Sequence, residues 1–187
     1  MLRYWLIAAL VLAYPLASEP AHACWTQVPL VPDDIKYADV VVVGRIANYR
    51  FVRDEEFRRR MLANPALSPE MRKHYEDKDA TLMGDYARFD VLVDQVLVGK
   101  PPRTISVTRY NSTFGTPKAI DPGLLLVALR KASSAMPPLR GPSATVWPNA
   151  EPDSMTVLQA PCSSPFMLPS MGDEARAVRA ILDARPR

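Results

Sequence analysis

Cys24, Cys162 and His74 are the side chains whose types could do chemistry, and their positions limit what that chemistry can be. A reactive thiol needs a neighbouring base or cation to lower its pKa. The one histidine left after the amino-terminal leader, which contains His22, is His74 in the charged stretch Arg72-Lys73-His74-Tyr75-Glu76. That setting reads as a solvated helix residue; pairing of Cys162 with His74 in an exported thiol enzyme is the functional alternative. Zinc sites use three or four His, Cys or carboxylate ligands at short spacings, and no such cluster occurs, so neither a metal nor a cofactor is expected. Asp33-Asp34 and Asp54-Glu55-Glu56 read as solvated faces and helix first turns. There is no phosphate-cradling glycine loop and no nucleophile elbow. The expectation is a protein without catalytic groups.

The redox state of the cysteines depends on compartment. Met1-Leu2-Arg3-Tyr4 is a short basic start, Trp5 to Leu16 is apolar, and Ala21-His22-Ala23 supplies the small residues of a cleavage site. Residues 1–23 are read as a signal peptide, leaving one domain, 24–187, in the periplasm or outside the cell. The rival reading, a membrane anchor, requires roughly 20 apolar residues, and Pro15 and Glu19 interrupt this stretch. Lipid attachment at Cys24 is disfavoured because Ala21-His22-Ala23 lacks the leucine-containing lipoprotein pattern. An oxidising compartment favours joining Cys24 to Cys162. The bridge would close roughly 140 residues and contribute up to about 5 kcal/mol through loop entropy. A free thiol stays open as the alternative.

The formal net charge of +3 is too mild to argue for nucleic acid, and no later segment is apolar enough to span a membrane. Proline is frequent at 19 residues and glycine sparse at 7; the prolines fall between apolar runs, as stiff connections around short strands.

The positioning elements follow from periodicity. Val40-Val41-Val42-Val43, then Gly44, predicts a strand buried on both faces with a bend at the glycine. In Tyr86 to Val98, Phe89, Val91 and Val93 share a face, and after Gln95 the apolar parity switches to Val96 and Val98, as a bulge or a strand changing its buried face would produce. Thr104 to Tyr110 alternates, Leu124 to Leu129 reads as a central strand, and Met155 to Leu158 as a short fifth one. The insert 53–84 carries Phe57, Met61, Met71 and Tyr75 at helical spacing, with Ser68 as cap before Pro69. Two short helices are expected there, with their few apolar residues docked on the sheet, or, as the alternative, forming a groove for a partner. The stretches 111–123 and 132–153 read as loops. In 170–183, Ser170 is the expected cap of a closing helix whose Ala175, Val178, Ile181 and Leu182 face the core.

These pieces resemble a known family. Cys24, the strand Ala38-Asp39-Val40-Val41-Val42-Val43-Gly44-Arg45, the segment Val96-Leu97-Val98-Gly99-Lys100, the run Gly123-Leu124-Leu125-Leu126-Val127 and Cys162 together resemble the netrin-like module, found also in tissue inhibitors of metalloproteinases. The resemblance spans 24–162 and implies a mainly β fold: a five-stranded OB-like barrel with a helical insert after the first strand and a C-terminal helix. It implies a binding function towards a protein partner. It also offers a narrower one, a metalloprotease inhibitor in which the α-amino group and carbonyl of Cys24 meet the zinc of the protease. The family's Cys-x-Cys start is here Cys24-Trp25-Thr26. Trp25, Tyr110 and Phe114 are candidate contact residues because aromatic side chains anchor interfaces, although Trp25 could equally pack beneath the amino-terminal segment. Asn111-Ser112-Thr113 fits a glycosylation acceptor.

Overall fold

Four consecutive valines leave no polar face to turn to water, and the chain covers both sides of them. A computed structural model describes residues 27–82, 84–110, 116–120, 122–139 and 151–185. The leader, Cys24, Trp25, Phe114 and the 111–113 acceptor triplet lie outside the described residues. The strands are β1 (Val40–Val52), β2 (Tyr86–Val98), β3 (Thr104–Tyr110), β4 (Leu125–Arg130), β5 (Met155–Val157) and β6 (Met167–Pro169). The helices are α1 (Glu55–Leu62), α2 (Pro69–Glu76) and α3 (Asp173–Asp183), with a 3₁₀ segment at Pro32–Tyr37.

Strand order β1-β2-β3-β5-β4 closes on itself through β1–β4 pairing, and β6 extends beside β4. The β3–β5 pairing is parallel and the others are antiparallel. The molecule is therefore mainly β, a closed five-stranded barrel of the OB type with one additional strand, a helical insert after β1 and a C-terminal helix.

Alternation along the strands divides the apolar residues between two cores. Val40, Val42, Phe89, Val91, Ile105, Val107, Val127 and Leu129 fill the barrel interior. Val41, Leu126, Ala128, Leu158, Phe166 and Leu168 point outward, where Ile35 of the 3₁₀ segment and Ala175 and Val178 of α3 cover them. Ile181 and Leu182 pack against the same cluster, so the apolar stripe of the closing helix faces a core as expected. The cap differs. Gly172 precedes α3, and Ser170 instead donates its backbone N–H to Leu124 O at 2.9 Å, prolonging the β6 contact before the helix can begin.

The parity switch in β2 corresponds to two extra residues, at different places from the sequence expectation. Val42 opposes Val96 while Val41 opposes Val98, leaving Leu97 extra; Val43 opposes Gln95 while Gly44 opposes Val93, leaving Asp94 extra. Leu97 and Val98 join the outer core, whereas Val96 is 45% exposed. A third irregularity lies in β1, where Asn48 takes a positive φ of 53° between the pairs Ala47–Asp90 and Arg50–Arg88. Asparagine tolerates this left-handed conformation better than most residues. Beyond Gly44, β1 pairs only with β2 among the described residues.

The insert is organised by itself. Phe57, Tyr75 and Leu82 form a separate small core with Met61, Leu62, Leu67 and Ala80, and the Phe57 and Tyr75 rings meet edge-on at 5.9 Å. The expected docking on the sheet is replaced by mutual packing, and Met71 stays 42% exposed. The Ser68 hydroxyl accepts from Met71 N at 3.2 Å, as the cap assignment requires, and Asp54 caps α1 by accepting from Phe57 N at 2.8 Å.

Candidate functional site

The first described residues run along the loop that carries Cys162. Val28 N donates to Cys162 O at 2.8 Å, Val28 forms a parallel bridge with Ser163, and Gln27 Nε2 donates to Ser164 Oγ at 2.8 Å. Ser163 Oγ reaches back to Pro29 O at 3.3 Å. Cys162 itself is buried and has a positive φ of 66°, which is costly outside glycine and is held here by the bonds on either side. A chain entering the fold as an extended segment is thereby fixed at 27–29 against the turn between β5 and β6.

Tyr110, the one predicted contact residue that falls among the described residues, has different neighbours. It ends β3 opposite Tyr86, and its charge interaction with Arg130 partly offsets the lowering of that guanidinium by burial. The Tyr86 hydroxyl donates to Glu151 Oε1 at 2.9 Å, Ser154 Oγ donates to Glu151 Oε2 at 3.0 Å, and Arg88 approaches Glu151 at 3.3 Å. Burial, followed by the bond to Glu151 and its charge, pushes the Tyr86 phenol up to about 12. This face of β2 and β3 thus presents a polar aromatic cluster in which the Tyr86 phenol keeps its proton over the neutral range.

Next to it lies a polar groove of ≈ 410 Å³ lined by Asn48, Tyr49, Arg50, Arg88, Phe89, Asp90 and Ser106. The hydrogen bonds from Asn48 Nδ2 at 2.7 Å and Ser106 Oγ at 2.9 Å hold the Asp90 carboxyl below its ordinary value.

His74 is exposed on α2, within the insert, whereas Cys162 lies between β5 and β6 beside the outer core. Among the described residues no three His, Cys, Asp or Glu side chains gather as a metal site would require. The reading of the acidic pairs as solvated needs one correction. Asp33 and Asp34 do occupy the first turn of the 3₁₀ segment, but Asp34 is buried, only 3% exposed.

Two buried arginines carry no sequence motif. Arg58 of α1 meets Asp85 through both guanidinium nitrogens, with Nη2 to Oδ2 at 3.1 Å, and also donates to Ala80 O at 2.7 Å. Asp85 further accepts from Leu82 N at 2.7 Å and Asp54 N at 3.0 Å. Burial raises the Asp85 carboxyl, but these bonds and the Arg58 charge outweigh it and leave the group below its usual range.

Arg109 is the second. It lies two residues after Val107 and four after Ile105 on β3, the parity of the barrel interior, and is 9% exposed. Its Nε has no hydrogen-bond acceptor, and no carboxylate lies within ion-pair distance among the described residues. Its electrostatic neighbour is Tyr49, whose ring stacks on Phe89 at 5.9 Å and whose hydroxyl donates to Pro117 O at 2.5 Å. Parity along β3 is the signal that finds Arg109 in the sequence.

No known family model, curated protein or solved structure matches this chain.

Proposed function

We propose that the chain is an exported, non-catalytic binding module for a protein partner, a netrin-like barrel whose amino-terminal segment forms part of the contact edge. The observation that carries this reading is the fixing of 27–29 along 162–164. Cys24 and Trp25 stand just before that anchor in sequence, so a bridge from Cys24 to Cys162 would add a covalent tie where the hydrogen bonds already run. Holding a contact segment in place before binding reduces the ordering entropy lost on association. Tyr110, Phe114 and Trp25 are the aromatic anchors of the proposal.

The same anchoring favours the narrower reading, inhibition of a metalloprotease by the Cys24 amine, since a neutral amine is a lone-pair donor and its position would be fixed by the barrel. Extending the mature amino terminus by one alanine separates the two: inhibition disappears if the amine is the ligand, whereas a side-surface binder is indifferent. Intact-mass measurement of the exported protein should find Cys24 first and the mass lowered by the two hydrogens of a disulfide. Photo-cross-linkers at Gln27 and Tyr110 should capture one protein in the exported fraction, and one at His74 should not. Retention of the leader, two free thiols, or absence of adducts from both Gln27 and Tyr110 refutes the reading.

A further inference from the structure

We propose that Arg109 is the anchor of an oxyanion-binding site at the end of the barrel interior, taking a carboxylate or phosphate group between its guanidinium and the Tyr49 side chain. A guanidinium remains charged at any physiological pH, and enclosing a charge without a partner costs several kcal/mol. Proteins compensate such groups with a carboxylate, a chain of acceptors or a bound anion. Arg58 has the first two: its terminal nitrogens meet the Asp85 carboxylate and Ala80 O, although its Nε, like that of Arg109, has no acceptor. Arg109 is nine-tenths buried, its Nε has no acceptor, and no carboxylate pairs with it among the described residues. The two differ in counter-charge: Arg58 has Asp85, and Arg109 has none among the described residues.

The surroundings specify the ligand. Val107 precedes Arg109 on the same face, its β2 partner is Ala87, and Met155 pairs with Val107 across β5. None of these supplies charge. Tyr49 donates its hydroxyl proton to Pro117 O and stacks its ring on Phe89, so it forms a neutral wall and brings no counter-charge. A planar fork of N–H donors in apolar surroundings matches two oxygens of one group, the geometry of carboxylate and phosphate. The site is separate from the amino-terminal edge and does not depend on the reading proposed for it.

The test is the folding midpoint of the purified chain in sodium phosphate, sodium acetate and sodium chloride at equal ionic strength, with titration calorimetry of the first two. The wild type should show a midpoint rising with the logarithm of phosphate or acetate concentration and flat in chloride, as ligand linkage requires. A response to acetate alone marks a carboxylate, to phosphate alone a phosphoryl group. Arg109→Met should abolish the response and, in chloride, should melt no lower than the wild type, because an apolar side chain replaces an uncompensated cation. Arg109→Lys, which retains the charge and loses the fork, should bind at least tenfold more weakly than the wild type. Equal midpoints in all three salts, or a rise that persists in Arg109→Met, overturns the proposal. Should Arg109→Met not fold, the wild-type titration and the Arg109→Lys ratio decide the question alone.

Discussion

Arg58 and Asp85 together hold the insert to the start of β2, and each is almost completely withdrawn from water, at 3% and 1% side-chain exposure. Breaking such a pair from one side leaves the other charge enclosed, so Asp85→Asn should destabilise the protein by about 3–5 kcal/mol in urea denaturation. The same carboxyl makes stability depend on acid. Its folded value lies below the ordinary 3.8, so the folded state favours the ionised form. The stability it contributes is complete above the unfolded carboxyl's value and is lost as pH falls through the depressed folded value. Asp85→Asn should therefore flatten the acid limb of a stability-against-pH curve. Neither partner was legible in the sequence. They are 27 positions apart inside a charged stretch, and an isolated arginine or aspartate reads as surface until the fold encloses it. Arg109 was partly legible: the alternation of Ile105 and Val107 assigns it an interior position, but not the absence of a counter-charge among the described residues.

At the level of elements, the irregularities of the β1–β2 ribbon allow a long strand pair to bend around the barrel. Gly44 sits where a Cβ would come within 2.3 Å of Leu92 O, a backbone atom that cannot rotate aside. Gly44→Ala should therefore cost about 1–3 kcal/mol in a denaturation midpoint and perturb the Gly44–Val93 register, visible as faster amide exchange through β2. Gly99, with a φ of 86° and Asp39 O at 2.7 Å from the position of a Cβ, makes the turn out of β2 in a conformation other residues resist. The glycine bend and the existence of a bulge could be read from the sequence because both disturb a period of two. Their location could not, since Val96, Leu97 and Val98 are all apolar and only the partner strand decides which is extra. The short β6 and the 3₁₀ turn were missed: three residues ending in proline give no periodicity, and the turn is held by contacts from distant segments.

For the whole molecule, the barrel wall is load-sharing, with one core inside and another between its outer face and α3. The double burial of Val40 to Val43 announced this arrangement, because a strand apolar on both faces needs cover on both. Val178, fully buried against the outer core, tests it: Val178→Asp should lower stability by several kcal/mol through an unpaired buried charge and expose dye-binding apolar surface. An unchanged melting curve would show that α3 is an appendage. The insert's separate core explains why its helices were legible from capping and spacing while their destination was not. The flank of β1 from Arg45 to Val52, which has no second strand partner among the described residues, has a further consequence. Unpaired backbone amides and carbonyls can template strands from other molecules, and this ribbon carries what discourages that: the exposed cations Arg45 and Arg50, with the left-handed Asn48 between them. The left-handed residue Asn48 thus interrupts the flat, regular edge that strand-to-strand association between molecules would need.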